Sequence, residues 1–273
     1  MSNNVELKKS FPCLLQGALS KDLGLAGLAN HVSSAVWRGT SIAPVSQAVV
    51  PTGFPMLDSQ LPGGGWPCRS LTELLQAEAS FCEWRLLAHS LQQLVMHGGH
   101  ILMVGPPKRP HAPGLSQLGI PAKSLIWFAA ETPAERLWTS EQLIKSSPQG
   151  VILIWLPQVR SEQLRRLQVH AQSCDCPVFV FRPEQTQYEA SAAPLRLTVA
   201  FLVDWALQVR ILKRKGGHHE SLITLPSIPS LLFQVLTPRL LRPSQFISKT
   251  EPSYVNSLGC AADQTSNRHF ASH

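Results

Sequence analysis

The chain has 273 residues, 44% hydrophobic and 15% charged, with 24 Lys and Arg against 17 Asp and Glu for a formal charge of +7. That length and apolar content suffice for one substantial α/β domain with extensions, and the basic balance favours an acidic protein surface or nucleic acid as partner. No run of about 18 apolar residues offers a membrane-spanning helix, and Asn3, Asn4, Glu6, Lys8 and Lys9 break up any secretory leader, so a cytoplasmic protein with reduced thiols is expected.

In chain order, residues 1–34 are mixed and polar, an N-terminal arm. Leu71–Leu75 is an apolar strand, and Glu83–His97 a helix with Leu86, Leu87, Leu91, Leu94 and Val95 at helical spacing, ended by Gly98-Gly99. His100–Val104 is a second strand, followed by the proline-rich loop Pro106–Pro110. A short helix ends at Gln117–Ile120, and Ser124–Phe128 is the next strand. Pro133–Lys145 is a helix predicted to turn Leu137, Trp138, Leu143 and Ile144 inward. Gly150–Leu156 is a continuous apolar run, as a buried parallel strand requires. A helix over Ser161–Ser173 and a strand over Pro177–Phe181 follow, then strands at Leu195–Val199, Ala206–Leu212 and Leu222–Leu225. The alternation predicts an α/β fold, a mostly parallel central sheet flanked by helices. From residue 226 prolines interrupt the pairs Leu231-Leu232 and Leu240-Leu241, and beyond Ser244 the composition is polar, so 226–273 is expected to be a partly disordered tail.

The strand–loop–helix at Leu71–His97 is the setting of a phosphate-binding loop, G-x-x-x-x-G-K-[ST]. The chain has Gln76 and Phe81 where the glycines belong, Cys82 for the lysine and Glu83 for the Mg²⁺-binding hydroxyl. Phe81 would fill the space phosphate needs, and Glu83 would set one negative charge beside others. Upstream stand Thr52-Gly53, Leu57-Asp58 and the run Leu61-Pro62-Gly63-Gly64-Gly65-Trp66-Pro67. The pattern T-G-x-x-x-L-D, a glycine run, a strand and a loop resembles the start of the RecA/RadA recombinase core. The variant L-P-G-G-G-W-P resembles the ImuA family, RecA-like accessory proteins of damage-induced mutagenesis, with the shorter division inhibitor SulA as a relative. The resemblance covers roughly residues 35–218, and a RecA-like core over 35–225 is what it implies.

Further implications follow from the family pattern. The water-orienting acid falls near Pro107, the metal-binding aspartate after Val151–Ile154 is replaced by Trp155, and Arg182-Pro183 stands at the polar sensor. Phosphoryl transfer depends on such charged groups, so no enzyme activity, nucleotide, metal or other cofactor is expected. The two long loops that line a recombinase's DNA are short here, at Leu156–Arg160 and Arg182–Ala193. The resemblance implies partners instead: RecA, ImuB and a DnaE-type error-prone polymerase in SOS translesion synthesis. The alternative is a SulA-like inhibitor binding the division protein FtsZ, although 273 residues exceed a SulA-like length.

Candidate partner residues are few. Lys213 and Lys215 match the lysine pair that reaches a neighbouring subunit's ATP in recombinases; a solvated basic strand end or a nucleic-acid phosphate contact remain alternatives. Arg165, Arg166 and Arg214 are candidate nucleic-acid contacts. Leu231, Leu232, Leu240 and Leu241 either dock on a partner or pack back on the core. Cys174-Asp175-Cys176 lacks further metal ligands at suitable spacing, adjacent His218 and His219 point apart on a strand, and neither Ser80 nor Ser191 lies in a nucleophile elbow.

Overall fold

The computed structural model describes residues 48–79, 82–215 and 222–246, with Ser230 and Leu231 described by backbone alone. The expected N-terminal arm, Phe81, the His218-His219 pair and everything beyond residue 246 lie outside the described residues. In chain order the elements are β1 Val49–Val50, α1 Pro55–Asp58, β2 Trp66–Pro67, β3 Leu71–Gln76, α2 Glu83–Met96, β4 His100–Val104, α3 Ala112–Gln117, β5 Leu125–Phe128, α4 Pro133–Ser146, β6 Gly150–Trp155, α5 Ser161–Ala171, β7 Val178–Pro183, β8 Leu195–Phe201, β9 Ala206–Lys213, β10 Leu222–Pro226, α6 Ser230–Val235 and α7 Pro238–Leu241.

Eight strands form one sheet in the order β10-β9-β8-β3-β7-β6-β4-β5. β3 to β8 are mutually parallel, β9 runs antiparallel to β8, and β10 antiparallel to β9. The expected mostly parallel α/β sheet is therefore what forms. Period-two alternation sends the side chains of the central strands β3, β6 and β7 to two separate cores. Val151, Leu153, Trp155, Phe179, Phe181 and Leu74 pack with Leu86, Leu87 and Leu91 of α2. Ile152, Ile154, Val178, Val180 and Leu71 pack with Leu137 and Ile144 of α4 and Leu164 and Leu167 of α5. β6, Gly150–Trp155, is buried on both faces along its whole length, which is why it reads as an unbroken apolar run.

One helix differs from expectation. α4 buries Leu137, Ser140, Glu141 and Ile144, the i, i+3, i+4, i+7 stripe of an amphipathic helix. Trp138 is one residue off that stripe, about 100° round the helix, and stands 65% exposed.

The Thr52–Asp58 motif has a structural role. Thr52 N–H donates to Asp58 Oδ1 at 3.0 Å, closing the turn around α1. Gly53 sits at φ +85°, and a Cβ there would collide with His89 of α2, so no other residue fits.

The stretch from 226 to 246 is tied to the β8–β9 turn. Trp205 Nε1 donates to Leu240 O at 2.7 Å, Ser227 N donates to Trp205 O at 3.1 Å, and Ser244 N donates to Asp204 Oδ1 at 2.9 Å. Asp204 and Trp205 both hold positive φ, 66° and 61°, a costly conformation for non-glycine residues, and these bonds hold it.

Candidate functional site

The first candidate is the strand–loop–helix at the carboxyl end of the central strands, where ligands bind in open parallel sheets. Gln76 ends β3, Glu83 begins α2 and Trp155 ends β6. All three side chains lie on the α2 face of the sheet and are at most 5% exposed. Gln76 Nε2 donates to Glu83 Oε1 at 2.5 Å, and Trp155 Nε1 donates to the same oxygen at 3.1 Å. Trp155 also stacks on Phe181, with ring centroids 4.7 Å apart.

Three positions chosen from sequence as a degenerate nucleotide and metal site are thus brought together, bonded to one another. The carboxylate of Glu83 sits in the first turn of α2, where the helix dipole favours negative charge. Cys82, expected from sequence to stand at a phosphate-binding lysine's position, is buried, and its thiol is pushed up to about 11 by burial first and by the Glu83 charge second. It is a neutral group at neutral pH. The space enclosed by Gln76, Cys82, Glu83, Phe181 and Val199 has no room for a water molecule.

The opposite face of the same strands carries a polar cluster that sequence reasoning missed. Glu73 of β3 is fully buried between two arginines. Arg182 Nη1 donates to Glu73 Oε1 at 2.8 Å, and Arg196 Nε to Glu73 Oε2 at 2.6 Å. Arg182 also reaches Glu189 at 2.7 Å, so two carboxylates balance two guanidiniums. Arg196 binds the carbonyls of Thr186 and Glu189, at 3.0 and 3.1 Å. The segment after β7 is thereby pinned to the sheet. The sequence signal was present, a lone Glu within the buried strand LTELLQ, because a buried charge demands partners. Arg182, expected from sequence at a sensor position, is here an ion-pair residue of this cluster. Beside it a cleft of about 670 Å³ opens between Pro133, Leu137, Leu156, Arg160, Arg182 and Glu189.

The remaining candidates are dispersed. Lys213 ends β9 opposite Arg196 at the start of β8, so it lies at the other end of the sheet from Gln76, Glu83 and Trp155. It is exposed, with Nζ 2.9 Å from Ser191 O, and Lys215 is exposed nearby. Arg214 donates to Gln60 O, a tie to the turn after α1. Arg165 is exposed on α5, and Arg166 donates to Glu141 Oε1 of α4 at 2.6 Å. These three arginines do not form one patch. Leu240 is 53% exposed, Leu232 and Leu241 are half-buried, and the Leu231 side chain lies outside what is described. Among the described residues no group of three or more His, Cys, Asp or Glu has the arrangement of a metal site, and no helix is long and apolar enough to cross a membrane.

No known protein-family profile matches the chain. It is 28% identical over 112 residues to the cell division inhibitor SulA of Photorhabdus laumondii subsp. laumondii, a stretch covering 41% of this chain and 63% of that protein. It is 24% identical over 115 residues to the cell division inhibitor SulA of Serratia marcescens, covering 42% of this chain and 68% of that protein. The match thus takes in less than two thirds of the first relative's length. Over about two fifths of its residues, this chain is similar to the SulA cell division inhibitors.

Proposed function

We propose that this chain is a non-catalytic, cytoplasmic protein of the SOS response that works by binding other proteins. The observation that carries the reading is the Gln76–Glu83–Trp155 cluster. The side chains of Gln76, Glu83 and Trp155 are spent on internal hydrogen bonds, and the space beside Gln76, Cys82 and Glu83 has no room for a water molecule. Without a lysine or metal ligand there, the electrostatic positioning behind phosphoryl transfer is missing.

The similarity to SulA favours division inhibition through FtsZ as the specific action. Induced expression in growing bacteria tests it. Filamentous cells, and retention of FtsZ by the purified chain, are the expected results; normal septation with no FtsZ retention overturns this reading.

A second reading rests on different residues. The Leu61–Pro67 motif and the exposed Lys213 and Lys215 favour an ImuA-like accessory protein that links RecA with ImuB and a DnaE-type polymerase. On that reading the chain retains RecA and ImuB in a pull-down and leaves septation normal.

A further inference from the structure

Independently of which partner the chain serves, its cysteines are unequal. Cys174 and Cys176 flank the exposed Asp175 in the segment leading to β7, and both are buried, at 0% and 4% exposure. Their Sγ atoms are 3.3 Å apart. The backbone of 172–176 consists of turns and bends between α5 and β7, and the first β-bridge after it is Pro177 with Cys68. Around it, Arg69 N donates to Cys174 O at 3.1 Å and Asp175 N to Ser147 Oγ at 3.0 Å. Arg69 and Asp175, which bracket Cys174 through these bonds, also form an ion pair with side chains 60% and 71% exposed, and an exposed pair of this kind holds the segment only weakly.

The electrostatics separate the two sulfurs. The Cys174 thiol is held below its usual range, first by the hydrogen bond from Cys176 and then by the Cys176 N–H and the Ser147 hydroxyl against burial. Cys176 is raised by the same bond and by burial. Cys68 and Cys82 are each pushed up to about 11, chiefly by burial. Thiolate character decides which cysteine reacts.

We propose that Cys174 and Cys176 form a redox-active dithiol that a hydroperoxide converts to an intramolecular disulfide. The Cys174 thiolate attacks the terminal peroxide oxygen, the O–O bond breaks, and the departing alkoxide takes a proton from solvent to leave as the alcohol. Cys174 is then a sulfenic acid. Cys176 gives up its proton and its sulfur attacks the Cys174 sulfur; the S–O bond breaks and hydroxide leaves with that proton as water. Two thiols and one hydroperoxide yield one disulfide, one alcohol and one water, and the two sulfurs supply the two electrons. The sulfurs must close by about 1.2 Å to reach disulfide length.

The test treats the full chain with a stoichiometric amount of hydrogen peroxide, then denatures it in iodoacetamide and maps the digest by mass spectrometry. The peptide bearing Cys174 and Cys176 is expected to lose two hydrogens and both alkylation sites, reversibly with dithiothreitol, while Cys68 and Cys82 still alkylate. Full alkylation of Cys174 and Cys176, or a bond from either to Cys68, overturns the proposal. In Cys176→Ser the Cys174 sulfenic acid is expected to accumulate and couple to a 1,3-dione probe at least tenfold more than in the parent. Equal labelling of the two proteins removes Cys176 from the reaction and overturns it as well. These readouts are independent of FtsZ, RecA and ImuB binding.

Discussion

The indole Nε1–H of Trp155 donates to Glu83 Oε1 across 3.1 Å, joining the end of β6 to the first turn of α2. The bond joins two positions that the sequence resemblance assigns to a shared Mg²⁺. It exists because odd-numbered residues of β6 face α2, and Trp155 is the last of them. Replacing Trp155 with Phe keeps the stacking on Phe181 and removes one donor from a buried carboxylate. A loss of about 1–3 kcal/mol is expected, read as a lower urea midpoint with unchanged slope. An unchanged midpoint would show that the bond contributes nothing to stability.

ATP with Mg²⁺ is expected to give no binding heat at micromolar concentrations in calorimetry, and no phosphate release. Replacing Glu83 with Thr and Cys82 with Lys is expected to leave that result unchanged, because Gln76, Phe181 and Val199 still enclose the space. Micromolar affinity in the parent chain would refute the closed-site interpretation.

Glu73 sits between Arg182 and Arg196 with no exposure. Glu73→Gln leaves two buried guanidiniums facing an uncharged amide, and breaking a buried network in this way costs about 3–5 kcal/mol. Thermal and urea unfolding are the measurements. A variant as stable as the parent would mean that water or rearranged partners replace the carboxylate.

Lys213→Ala with Lys215→Ala is expected to leave stability within about 0.5 kcal/mol, since both side chains are exposed and strand-end surface changes are mild. On the ImuA-like reading the double variant loses ATP-dependent association with RecA. Binding of ATP-loaded RecA at parental strength by the double variant would rule out docking through these lysines.

A chain ending at Pro226 loses Ser227, Leu240 and Ser244, which hold the Asp204–Trp205 turn. The Ser227 and Ser244 hydroxyls each add a bond to the same turn, so five hydrogen bonds go. At about 0.5 kcal/mol each, the low end for a hydrogen bond, a drop of roughly 2–3 kcal/mol is expected while the sheet stays folded. Differential scanning calorimetry checks it, and equal melting temperatures for the two chains would show that the ties are without consequence.

The order of strands and helices was legible in the sequence because two periodicities carry it. Unbroken apolar runs such as Gly150–Leu156 mark strands buried on both faces, and the Leu86–Leu91 spacing marks a helix with one buried face. Residue type alone also shows that Gln76, Cys82, Glu83 and Trp155 supply no phosphate-binding lysine or glycine. What the substitutions do instead depended on tertiary structure. Glu83 and Trp155 are 72 residues apart, and no local rule places one beside the other until β6 is set next to β7 and α2 laid on that face. The same holds for Glu73, which reaches Arg182 and Arg196 across 109 and 123 residues of chain. Trp138 was misplaced because an aromatic residue in an amphipathic helix has a hydrophobicity but no direction of its own. The direction was fixed by which stripe of α4 met the sheet, and that choice belongs to packing.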